Sequence, residues 1–229
     1  MGNFLTTSSI GRKLVMSISG CFLILFLVFH MAMNVTAIFS EEAYNMICAF
    51  LGANWYALAG TAVLALGVLV HIFYAIWLTL QNRKARGSIR YAATVTEKGV
   101  SWSSKNMFIL GLVIAGGLLL HLYNFWYNMM LQELLGNHTN GFGYSPTDGS
   151  ALIRDLFAQP VFCIIYLVWL AALWLHLTHG FWSMFQSVGW ANKTWYPRLK
   201  LLGNVLITLL ILGFAAVVVV FYIKSLGLC

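Results

Sequence analysis

Five stretches of this 229-residue chain run apolar with almost no charge inside them, near 12–38, 56–81, 106–131, 157–188 and 200–225. A helix needs roughly 20 mostly apolar residues to cross the hydrocarbon of a bilayer. Five such runs take up most of the chain, so the sequence predicts an all-α, polytopic membrane protein with five transmembrane helices and a single domain over 1–229. Composition agrees: 8% of the residues are charged, against about 25% in an ordinary soluble domain. The first run is too long for a cleavable leader, and no small-residue cleavage pattern closes it.

The charges predict how the spans are oriented. Arg12 and Lys13 precede the first span. Arg83, Lys84, Arg86, Arg90, Lys98 and Lys105 lie between the second and third, and Lys193, Arg198 and Lys200 between the fourth and fifth. Of the 13 basic residues only Arg154 and Lys224 fall on the other side, beside Glu41, Glu42, Glu133, Asp148 and Asp155. Lys and Arg collect in short cytoplasmic loops, which puts the N-terminus in the cytoplasm and the C-terminus outside. The net charge of +7 is thereby a matter of topology, and no nucleic-acid partner is expected. Cys21, Cys48, Cys163 and Cys229 show no paired spacing, no CxxC and no CxxCH. That argues against a thiol redox pair, a zinc site and covalent haem attachment.

Against this background four histidines stand out, one in each of the first four spans: His30, His71, His121 and His176. A polar side chain at membrane depth is expensive and normally faces a partner inside the bundle. Helix rise is about 1.5 Å per residue, so depth follows from counting. His30 lies about 25 Å beyond Lys13 and His121 about 24 Å beyond Lys105, both toward the outside. His71 lies about 18 Å before Arg83 and His176 about 20 Å before Gly189, both nearer the cytoplasm. Two depth-matched pairs on four helices predict axial ligation of two haems, one by His30 and His121, the other by His71 and His176. Gly67, Gly117 and Gly180 each sit one turn from a histidine, where a missing side chain leaves room for a porphyrin edge. His179 is the rival ligand on the fourth span, and His138 falls in the polar loop GNHTNGFGYSPTDG. No charged residue lies in the middle of a span. Proton-relay transporters usually carry such charges, so electron transfer fits better than transport.

The five spans, the segment SSIGRKLVMSISG leading to His30, and LHLTHGFWSMFQSVGW in the fourth span together resemble a known family. It comprises the diheme cytochrome b membrane anchors of succinate:menaquinone oxidoreductases and menaquinol:fumarate reductases, of the single-subunit five-helix type. The resemblance covers essentially the whole chain. It implies the same four ligands, with His176 rather than His179 because the ligand stands four residues before a glycine. It also implies a bacterial cytoplasmic membrane, and a flavoprotein (FAD) subunit and an iron–sulfur subunit docked on the cytoplasmic face. Electrons would pass between that iron–sulfur subunit and menaquinone or menaquinol, with no dicarboxylate chemistry in this chain, and the heterotrimer could dimerise. Haem propionates need cationic or hydrogen-bonding partners at span ends, for which Arg12, Lys13, Ser17, Arg83 and Trp102 are candidates. Asn34, Glu41 and Glu42 are candidates for a quinone site. Where some family members carry a glutamate tied to proton movement, this chain has Trp174. Two alternatives remain open: a cytochrome b subunit of a hydrogenase or formate dehydrogenase, and a haem-free transporter or scaffold.

Overall fold

A computed structural model of the protein describes residues 8–86, 102–187, 189–190 and 192–228. Arg90 and Lys98, and most of the basic segment around them, lie outside the described residues. Eight α-helices are described, with no strand among the described residues. They are α1 (Ser9–Phe39), α2 (Glu41–Phe50), α3 (Trp55–Arg86), α4 (Trp102–His121), α5 (Met130–Leu134), α6 (Gly149–Phe157), α7 (Pro160–Ser187) and α8 (Trp195–Ser225). Five helical spans, given by α1, α3, α4 with its continuation to Trp126, α7 and α8, are long and apolar enough to cross a membrane.

Local signals set the boundaries. Ser8 caps α1 by accepting from the Gly11 N–H at 2.8 Å, satisfying one of the donors a helix start leaves unpaired. Ser40 takes an extended conformation between α1 and α2, and its hydroxyl accepts from the Ala43 N–H at 3.1 Å. Glu41 and Glu42 then occupy the first turn of α2, where negative charge complements the helix dipole, so the acidic stretch after the first span is helical. Pro160 opens α7, a position where its missing N–H costs nothing. The fourth span therefore starts at Pro160, and Phe157 belongs to α6. Gly189, at φ +82°, ends α7, with the Trp190 N–H reaching back to the Phe185 carbonyl at 2.9 Å.

The third span differs most from a plain helix. Directly after His121 the backbone widens into a π turn, Leu122–Trp126, with the Tyr127 N–H bonded to the Leu122 carbonyl at 2.8 Å. A wider turn leaves carbonyls without their usual partners. Side-chain amides serve them: Asn128 donates to the Tyr123 and Asn124 carbonyls (3.0 and 3.1 Å), and Gln132 donates to Tyr127 (3.0 Å). Asn124 donates across to the Tyr166 hydroxyl at 3.1 Å. These three amides are buried.

Between spans, large side chains seat against glycines. A Cβ on Gly67 of α3 would lie 2.6 Å from the Phe22 ring of α1, and one on Gly213 of α8 would lie 2.5 Å from the Met31 sulfur of α1. Gly203 of α8 faces Phe181 of α7, and Gly117 of α4 faces Trp169 of α7, at separations no side chain could share. Small residues at such contacts let helices approach where lipid offers no hydrophobic driving force. Most of the buried core, Phe157, Tyr166, Ile207, Leu210 and Phe221 among it, belongs to α6, α7 and α8, with Ala37 joining it from α1 and Tyr44 from α2. By contrast α3 meets the bundle chiefly through α1 and barely touches α4.

One end of the bundle is closed by α2 and α6. Asp148 caps α6, accepting from the Ala151 N–H (3.1 Å), the Asn45 amide (2.8 Å) and the Ser150 hydroxyl (3.1 Å). At the same end Glu41 pairs with Arg154 at 2.7 Å and approaches Lys224 at 3.9 Å.

Two predictions follow from these contacts. Partial burial of Asp148 works against its charged form. The hydrogen bonds from Ala151, Asn45 and Ser150 outweigh that and hold the carboxyl below its ordinary value of 3.8. A lowered folded-state value stabilises the fold above the unfolded one, and the gain is lost as pH falls below 3.8 through the folded value. Asp148→Ala is thus expected to cost about 1 kcal/mol at neutral pH, with the gap to wild type closing in acid, as read by thermal unfolding in detergent. Adjacent glycines give the second prediction. Gly116 has no atom near its would-be Cβ, whereas Gly117 has the Trp169 ring. Gly116→Ala should be neutral or stabilising, and Gly117→Ala should be less stable than it by about 1–3 kcal/mol.

Candidate functional site

The four spans that carry the depth-matched histidines enclose one continuous cavity of about 1900 Å³, and His30, His71, His121 and His176 all line it. A pocket for one small molecule is roughly 300–1,000 Å³, so this space is large enough for more than one group. It lies where α3 and α4 stand apart.

The histidines meet in two pairs. The rings of His30 (α1) and His121 (α4) are 5.8 Å apart between centroids, with planes at 87°. Those of His71 (α3) and His176 (α7) are 6.4 Å apart, at 64°. These are the same partners that counting residues along the helices matches by depth. Aromatic rings enclose the first pair. Phe26 stacks on His30 at 5.3 Å, Phe214 lies 5.7 Å from it, and Phe125, Trp169 and Tyr166 stand 5.0, 5.7 and 6.3 Å from His121. The Trp169 indole is itself fixed, donating to the Ile114 carbonyl at 3.1 Å.

What surrounds the ring nitrogens differs from one histidine to the next. The Ser19 hydroxyl lies 3.1 Å from His71 Nδ1. The Asn34 amide nitrogen lies 3.4 Å from His30 Nδ1 and donates to the His30 carbonyl at 2.8 Å, while its oxygen accepts from the Tyr44 hydroxyl at 3.3 Å. His121 Nδ1 and His176 Nδ1 are buried without a hydrogen-bond partner.

This donor set suits some metal centres and not others. A protein-held ion such as zinc takes three or four side-chain ligands. Among the described residues no group of three or more His, Cys, Asp or Glu is placed to hold one. Haem iron needs only two from the protein, one on each face. Two imidazoles bound to one metal from opposite sides, with bonds of about 2 Å, hold their ring centres roughly 6 Å apart. Both pairs stand near that separation. The residues present therefore fit a pair of bis-histidine haems.

The other expected site residues fall unevenly. Lys13 and Ser17 line the cavity at its basic end, Ser17 donating to the Lys13 carbonyl at 3.0 Å. Arg12 lies over the Trp77 ring at 5.5 Å. Arg83 and Trp102 are exposed and outside the cavity wall. Thr79 and Asn82 of α3 and Ser183 and Gln186 of α7 line that end instead, a grouping that only the tertiary arrangement reveals. At the opposite end Asn34 lines the cavity, Glu41 is taken by Arg154, and Glu42 is exposed. Glu133, not singled out from the sequence, is the carboxylate that reaches the wall, accepting from the Ala53 N–H at 2.8 Å.

Two of the glycines do something other than leave room beside a histidine. Gly67 and Gly117 receive Phe22 and Trp169, whereas Gly180 faces open space. Gly20 and Gly111 are the glycines that face histidines: a Cβ on Gly20 would lie 3.4 Å from His71, and one on Gly111 4.0 Å from His176. His179 packs edge-on against Trp182 at 4.7 Å and also lines the cavity, while His71 meets the ring of His176; His138 is exposed. Trp174 turns toward α8 and donates to Thr208 at 2.9 Å. Outside the spans, burial pushes the Cys48 thiol up to about 11, which keeps it a neutral, unreactive side chain.

Comparison with family models, with curated proteins and with solved structures returns no match to this chain.

Proposed function

We propose that this protein is the diheme cytochrome b membrane anchor of a bacterial succinate dehydrogenase/fumarate reductase complex. In this reading it links a cytoplasmic iron–sulfur subunit, itself joined to a flavoprotein, to menaquinone in the membrane. The observation that carries the proposal is the arrangement of four histidines on four spans as two facing pairs in one intramembrane cavity. The resemblance of SSIGRKLVMSISG and LHLTHGFWSMFQSVGW to that family supplies the identity of the complex.

His30 and His121 would hold one haem iron, and His71 and His176 the other. When bound, the two groups would supply one-electron redox centres, each held by two histidines, which suits electron transfer rather than oxygen binding. Phe26, Phe125, Phe214 and Trp169 keep water from the first pair. Lys13 and Ser17 offer a cation and a hydroxyl to propionates at the basic end. Two further cations there are braced on rings, Lys200 over Trp182 at 5.2 Å and Arg198 over Trp195 at 5.6 Å. That basic, polar end is the surface offered to the iron–sulfur subunit, and the positive-inside bias puts it in the cytoplasm. With Trp174 engaged by Thr208, no carboxylate stands at that position for coupled proton movement.

Pyridine haemochrome quantitation on purified protein tests the reading. Two b haems per chain are expected, with His71→Ala and His121→Ala each retaining one. Co-purification of a flavoprotein and an iron–sulfur protein should accompany them. A folded, colourless wild type would refute the cytochrome reading, and a hydrogenase or formate dehydrogenase subunit in their place would redirect the complex.

A further inference from the structure

The environment of His71 differs from that of the other three histidines, and the difference lies on α1. Ser19 Oγ makes two contacts, donating to the Met16 carbonyl at 3.1 Å and meeting His71 Nδ1 at 3.1 Å. A hydroxyl has one proton and two lone pairs. Both contacts are hydrogen bonds only if the hydroxyl gives its proton to Met16 and the ring gives its own to the hydroxyl. His71 then carries its proton on Nδ1 and leaves the Nε2 lone pair free. The ring lies close against α1 here: a Cβ on the neighbouring Gly20 would stand 3.4 Å from His71 Cε1. Ser19 is itself buried, at 7% exposure.

No other histidine of the two pairs has such a partner. His121 Nδ1 and His176 Nδ1 are buried with none. His30 Nδ1 faces the nitrogen of Asn34, a group that only donates.

We infer that Ser19 is a positioning residue for one of the two centres: its hydroxyl oxygen fixes the tautomer and orientation of His71, so that Nε2 is the ligating nitrogen. This rests on the cytochrome reading and adds to it an inequality between the two sites. A ligand histidine that donates its second N–H to an acceptor becomes a stronger donor to the metal. Stronger donation favours oxidised iron, so the hydroxyl lowers the potential of the His71–His176 centre and leaves that of the His30–His121 centre untouched.

The test is a redox titration with low-temperature EPR on the purified full chain, comparing wild type, Ser19→Ala and Ser19→Thr. His71→Ala identifies which of the two signals belongs to this centre. Ser19→Ala should raise the potential and shift the low-spin EPR signal of that centre alone, or release its haem. Ser19→Thr, which keeps the hydroxyl, should restore both properties to wild type. Two unchanged signals in Ser19→Ala, or a Ser19→Thr protein as altered as the alanine variant, would overturn the role of the hydroxyl while leaving the cytochrome reading intact. A wild type that binds no haem would refute that reading and this inference with it.

Discussion

In a bilayer, apolar side chains gain nothing by leaving lipid for one another, so close contact between spans has to come from shape. Four glycine seats do this work here. Phe22 on Gly67 joins α1 to α3, Met31 on Gly213 joins α1 to α8, Phe181 on Gly203 joins α7 to α8, and Trp169 on Gly117 joins α7 to α4. The seats form an open chain, α3–α1–α8–α7–α4, whose ends, α3 and α4, scarcely touch. The cavity is the consequence of that opening. The cavity wall takes one histidine each from α1, α3 and α4 and two, His176 and His179, from α7.

The same geometry explains why the site can be dry yet polar. Hydrocarbon tolerates a polar group only with a partner, and the polar groups of the spans are served locally. Amides from Asn128 and Gln132 service the π turn, Asn124 bonds to the Tyr166 hydroxyl, and Thr79 and Thr178 bond back to their own helices. The histidines are the exception, since they face one another across the cavity and two of their nitrogens have no partner. A π turn beginning one residue after His121 fits the tendency of such turns to mark functional positions.

Much of this was legible in the sequence because helical pitch is nearly constant. Span positions and histidine depth follow from counting, and the rings that counting matched are the rings that meet. Features set by tertiary contact were not legible. Helix α2 reads as an acidic loop until Ser40 is seen as a cap, and α6 merges with the fourth span until Pro160 is seen to start a new helix. Gly67 and Gly117 sit one turn from a histidine, but a helix has several faces, and which one meets a neighbour depends on packing. Glu133 reads as one more loop acid until the 51–54 turn folds onto it. Ser19 lies 52 residues from His71, and no local pattern joins them.

On the proposed reading these four histidines would ligate two haem irons. Near-infrared magnetic circular dichroism of the oxidised protein tests it most directly, because the charge-transfer band reports the axial ligand pair. A bis-imidazole, low-spin signature with intensity for two haems per chain is expected. A high-spin or histidine–methionine signature, or a folded protein with no haem band, would contradict it.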